Sequence, residues 1–97
     1  MSTGRGTQSP VEESKLDLVR RFLQREFRNC DHHDYFDQAK MAHVFVIEPS
    51  RGLRHTLVIP KSMFDHHDFL LLMDGRLADG LQESRDVPRT LTPEGLD

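Results

Sequence analysis

The sequence predicts a small α+β domain, and three observations carry that expectation. An apolar stripe recurs at helical spacing after residue 9, two β-branched runs flank a Ser-Arg-Gly turn, and residues 65–83 hold a second apolar helical pattern. The coarse order is α-β-β-α, an antiparallel hairpin packed by two helices. Residues 34–38 offer one more short strand and hence the variant α-β-β-β-α. The domain is expected over residues 9–83. The segment 1–8 is small and polar, and 84–97 carries two prolines without hydrophobic periodicity, so both read as disordered tails.

The first helix has a clear start. Ser9 is placed to cap the N3 amide, Glu12 to reach back to the cap, and Pro10 sits at N1, where its missing N–H costs nothing. Leu16, Val19, Leu23 and Phe27 form one stripe, which Val11, Leu18 and Phe22 widen to about half the circumference at about 100° per residue. Asp17, Arg21, Gln24, Arg25 and Arg28 take the opposite side. The helix is expected to reach about Arg28, with its arginines near the C-terminal end, where the dipole favours them.

The hairpin register follows from its turn. A three-residue loop Ser50-Arg51-Gly52, with Gly52 left-handed, makes a type I turn plus a bulge and sets Glu48 opposite Arg54. Phe45, Ile47, Leu57 and Ile59 then share one face. Val44, Val46, Thr56 and Val58 share the other, and His43 stands opposite Ile59. A two-residue loop would mix these sets.

The second helix is expected to open at Asp65 as N-cap, with Asp68 at N3. Phe69, Leu70, Met73, Leu77 and Leu81 fall on its core side, while Gly75 and Gly80 weaken it. Leu71, Gly75, Ala78 and Gln82 form a separate row whose small residues admit a second helix. With Val44, Val46 and Val58 on the outer sheet face, this surplus apolar surface suggests a homodimer interface.

Composition narrows the function classes. The chain has 97 residues and a net charge of -3, so it lacks the overall basic field of most non-specific nucleic-acid binders. No stretch approaches the roughly 20 apolar residues of a membrane span. The N-terminal MSTGRGTQSP has no apolar core of a secretory signal, and the single Cys30 suits a reducing compartment, so a cytoplasmic location is expected.

The most conspicuous motif is Asp-His-His-Asp, present at residues 31–34 and 65–68. Zinc favours imidazole and carboxylate ligands, which makes His32, His33, His66 and His67 the candidate metal ligands. Adjacent histidines on a helix point about 100° apart, however, so a site requires the two segments to meet in space. The structural alternative assigns the flanking acids to helix starts, and no cofactor is expected. The tripeptide is shared with the DHH phosphoesterases over three residues only, and this chain lacks room for their further aspartate motifs.

Nucleophilic catalysis finds little purchase. Cys30 precedes two histidines, but nearness in sequence is not the spatial arrangement that activates a thiol. Arg21, Arg25 and Arg28 form a row able to contact nucleic acid. The α-β-β-β-α variant is similar in element order to double-stranded-RNA-binding domains. Those domains present lysines at the start of the second helix, where this chain has Asp65-His66-His67-Asp68, and acids there would repel phosphate. The expectation is therefore a non-enzymatic protein-interaction module acting as a homodimer, with a metal-binding module and a nucleic-acid adaptor as the alternatives.

Overall fold

Helix α1, Pro10–Glu26, begins at the proline that the sequence places at N1. The computed structural model describes residues 10–84 and 86–97. The expected Ser9 cap, the 1–8 tail and the Val11 and Glu12 side chains fall outside what is described. Leu16, Val19, Leu23 and Phe27 are buried together with Phe22, so the predicted stripe is the core face of α1. Leu18 departs from it and is 38% exposed. The helix ends two residues before Arg28, and Asn29 takes a positive φ of 63°, a conformation that asparagine tolerates better than most residues.

That left-handed residue turns the chain into strand β1, Cys30–Asp37, followed by β2, Ala42–Pro49, and β3, His55–Pro60. All three pair antiparallel in chain order. The first Asp-His-His-Asp segment thus lies inside a strand, not a helical turn, and the strand is longer than the 34–38 expected. Pairing with β2 supplies the backbone partners that so acidic a segment would not secure alone.

The β2–β3 register agrees with the turn argument. His43 pairs with Ile59, Val44 with Val58 and Ile47 with His55, and Gly52 has a φ of 98°. The ladder stops one position short of Glu48 and Arg54. Their side chains diverge, Arg54 reaching 4.0 Å from Asp86 and Glu48 3.9 Å from His33. Phe45, Ile47, Leu57 and Ile59 join the α1 stripe in the main core. Ala42, Val44, Val46 and Val58 form a second, smaller buried cluster on the other face.

The continuous helix expected from Asp65 does not form. A 3-10 turn spans Lys61–Asp65, a second spans Leu70–Leu72, and only then does α2 run, Gly75–Glu83. Phe64, in the first turn, and Phe69, just before the second, are both buried with ring centroids 5.1 Å apart. Gly75, costly inside a helix, stands instead at the first position of α2. The cap is Asp74, whose carboxylate accepts from the N–H groups of Arg76 and Leu77 at 3.0 and 3.2 Å. Phe69, Leu77 and Leu81 are buried as expected and Met73 packs at the core margin, but Leu70 is exposed.

The segment read as a C-terminal tail carries two strands. β4, Arg89–Thr92, adds parallel to β3, and β5, Gly95–Leu96, pairs antiparallel with β4. The sheet therefore has five strands in the order β1-β2-β3-β4-β5, with α2 as the crossover between its parallel pair. Leu91 is only 1% exposed and belongs to the main core. Arg89 ties the chain end back, donating to the Asp97 carbonyl and to the Ser84 hydroxyl at 2.8 Å each. Four residues between prolines are too few to show periodicity, which is why the strand escaped the sequence reading. No described helix is long and apolar enough to cross a membrane.

Two substitutions test this architecture by urea denaturation. Gly52→Val should cost more than about 1 kcal/mol through backbone strain alone, because open space surrounds the position where a Cβ would sit. Leu91→Ala should cost about 2–5 kcal/mol, as for a core leucine; a cost near zero would show that residues 89–92 lie outside the cooperative fold.

Candidate interaction surface

Charge on the helix side of the sheet is concentrated where α1 crosses β1 and β2. Arg20, partly exposed on α1, donates from Nε and Nη2 to the two carboxylate oxygens of Asp34 at 2.9 Å each. Its Nη1 donates to Asp17 at 2.8 Å. His43 Nε2 donates to Asp34 Oδ1 at 2.7 Å, which requires the proton on that nitrogen. Burial pushes the Asp34 carboxyl upward, but the hydrogen bonds from Arg20 and His43 outweigh it, and its pKa lies below the ordinary value. The Asp34 carboxylate in turn raises the Arg20 guanidinium above its ordinary value.

This cluster resembles a catalytic dyad only on paper. His43 is 6% exposed, its ring lies 4.9 Å from Phe45 and 6.5 Å from Phe36, and its Nδ1 is buried without a partner among the described residues. The Cys30 thiol and the His32 ring each turn to a backbone carbonyl, those of Arg28 and Phe27. The cluster instead ties α1 to the sheet.

The histidine pairs occupy unrelated settings. In β1, alternation sends His32 to the helix side and His33 to the outer face, where it approaches Glu48. In the turn before Leu70–Leu72, the His66 and His67 rings stack with centroids 4.7 Å apart, and His66 Nδ1 accepts from the Asp68 N–H. Among the described residues no group of three histidine, cysteine or carboxylate side chains gathers as a metal site would need.

The residues expected at an interface also separate. Leu71 lies in the 3-10 turn and is 73% exposed, whereas Ala78 is buried in the core from α2. Gly75 and Gln82 are exposed on α2, so the row Leu71, Gly75, Ala78, Gln82 is not one helical face. Val44, Val46 and Val58 are buried. β1 is an outer strand of the sheet, but Asp31, Asp34 and Asp37 make it acidic, a device that discourages edge-to-edge pairing.

What remains is a face the sequence did not mark. Leu18 on α1 lies beside Leu70 of the 3-10 turn, with Phe22 and Met73 between them as the floor of a shallow groove. Leu70 is 57% exposed, and Leu71 is its neighbour. Arg21 and Arg25, two of the three arginines considered for nucleic acid, stand on the groove's rim. Arg28 instead lines a separate depression with Phe27, Cys30 and His32. The one sequence signal was the leucine run at 70–72, of which Leu70 and Leu71 are exposed, and a straight helix misassigns its sides.

Comparison with protein-family models, curated proteins and solved structures finds no match to this chain. The functional reading therefore rests on the geometry.

The Asp34 tie has a defined pH signature. Its folded pKa is depressed, so its contribution is present above the unfolded carboxylate value near 3.9 and is lost as pH falls through the folded value. Asp34→Ala should destabilise by about 2 kcal/mol at pH 7, because Nε and Nη2 of Arg20 and the His43 N–H all lose their acceptor. The gap between variant and wild type should narrow below about pH 4. Urea denaturation of both proteins across pH 3–7 measures it, and a constant gap would refute the assignment.

Proposed function

We propose that this chain is a non-enzymatic protein-interaction module that acts as a homodimer through the face formed by α1 and the Leu70–Leu72 turn. One observation carries the reading: Leu70 and Leu71 are both largely in solvent, and Leu70 shares a shallow groove with the partly exposed Leu18. Single exposed leucines are ordinary, but a contiguous apolar patch on a small domain is a feature of contact surfaces. The patch also has the anatomy of such a surface, with an apolar centre and charged groups at the rim.

Charge favours protein over nucleic acid as the partner. The arginine surface of α1 is interrupted by Asp17 and Glu26, and the groove between Arg21 and Arg25 is floored by Phe22 and Met73, not by further cations. A phosphate backbone gains nothing from such a floor, whereas an apolar side chain does.

Light scattering after size exclusion, run over a dilution series, tests the reading. The wild-type chain should be dimeric at high micromolar concentration and dissociate on dilution. Leu71→Arg should remain folded and weaken association by about 10–100-fold, the equivalent of about 1.5–3 kcal/mol for one leucine withdrawn from an interface. A wild-type chain that stays monomeric throughout would overturn the dimer.

A further inference from the structure

A projecting side chain and a recess able to receive one lie one residue apart, at Leu71 and at Leu70. The recess is the groove of about 360 Å³ lined by Leu18, Phe22, Leu70 and Met73, with Arg21 and Arg25 on its rim. Arg25 lies over the Phe22 ring, 5.8 Å from its centroid, and only loosely approaches Glu26 at 3.6 Å. Arg21 makes no ion pair among the described residues, and neither arginine pairs there with a carboxylate of the 65–74 segment.

The projection is Leu71, and it does not stand alone. The Leu72 N–H donates to the carbonyls of Asp68 and Phe69 at 3.2 Å each, closing a helical turn across these residues. Residues three apart in such a turn share a side, so Asp68 accompanies Leu71. The Asp68 side chain is partly exposed and engaged only by a 3.5 Å approach of the exposed His67 ring, and Asp65 is exposed just before it. The unit presented to solvent is thus an apolar side chain with carboxylates beside it. The groove is the complementary unit, an apolar recess with guanidinium groups beside it.

Resting on the reading of this face as the dimer surface, we infer that two copies dock reciprocally: Leu71 of each enters the groove of the other, and Asp65 and Asp68 face the partner's rim arginines. Leu71 directly follows Leu70, which lines the groove, so one two-fold axis relates both contacts and closes the assembly at two copies. Direct groove-to-groove docking would instead oppose the two arginine pairs, and like charges in an interface are strongly unfavourable. The offset arrangement converts that repulsion into attraction. It also accounts for rim arginines left without strong partners among the described residues.

A charge-swap experiment separates this arrangement from self-association by any other surface. Arg21→Glu with Arg25→Glu makes one variant, and Asp65→Lys with Asp68→Lys makes the other. Circular dichroism confirms that each is folded; where a double variant is not, the single exchanges Arg21→Glu and Asp68→Lys take its place. Each variant alone should dimerise about tenfold or more weakly than wild type, since like charges then meet across the interface. An equimolar mixture should form a heterodimer of near wild-type affinity, because both contacts regain opposite charges, and rising salt should weaken it. A dimeric wild type with both variants unaffected would overturn the reciprocal docking while leaving self-association in place. Two monomeric variants that fail to pair would also overturn it. A monomeric wild type would overturn both the dimer reading and the reciprocal docking that rests on it.

Discussion

The register between β2 and β3 is the constraint on which the rest of the molecule depends. Side chains alternate across a strand, so a slip of one residue would exchange Phe45, Ile47, Leu57 and Ile59 for Val44, Val46 and Val58 on the face that meets α1. The bulged turn with Gly52 left-handed holds that register, and β1 inherits it by pairing with β2. Asp34 thereby stands opposite Phe45 on the helix side, and His43 stands diagonal to it. Every polar contact between helix and sheet follows from this alternation.

Arg20, Asp34 and His43 then do for the helix what the turn does for the hairpin. Apolar packing of α1 is tolerant of sliding, whereas a bidentate guanidinium–carboxylate pair specifies one position along the strand. The histidine satisfies the remaining carboxylate capacity from the sheet side. The value of such a partly buried cluster lies more in geometry than in net stability, since desolvation of the charges offsets much of their attraction. It places α1 so that its core stripe is covered while Leu18, Arg21 and Arg25 look out beside the chain that follows β3.

That following segment turns packing into a surface. Met63, Phe64 and Phe69 are drawn into the core from within or beside the 3-10 turns, and the chain between Phe69 and Asp74 must cross over them. Two leucines are left outward as a consequence. Within a straight helix Leu70 would have been core; the crossing makes it the wall of a groove. The apolar face is thus produced by the same demand that buries the two phenylalanines.

Much of this was legible in the residues themselves, because it rests on local periodicity. The α1 stripe, the proline at its first position, the hairpin and its two apolar faces are properties of short windows, and the sequence by itself determined them. The α+β class follows from the same patterns. Three things were decided only in the folded molecule. The acidic Cys30–Asp37 segment became a strand because β2 offered it a hydrogen-bonding edge. Residues 89–92 became a strand because β3 offered an edge and the core a place for Leu91. The Leu71, Gly75, Ala78, Gln82 row came apart because the core draws Phe64 and Phe69 from within or beside 3-10 turns and α2 starts only at Gly75, leaving Leu71 outside it. In each case a partner distant in the chain outweighed the local preference, and no short window contains that partner. The groove between α1 and Leu70 belongs to the same class, since its walls lie 52 residues apart in the chain.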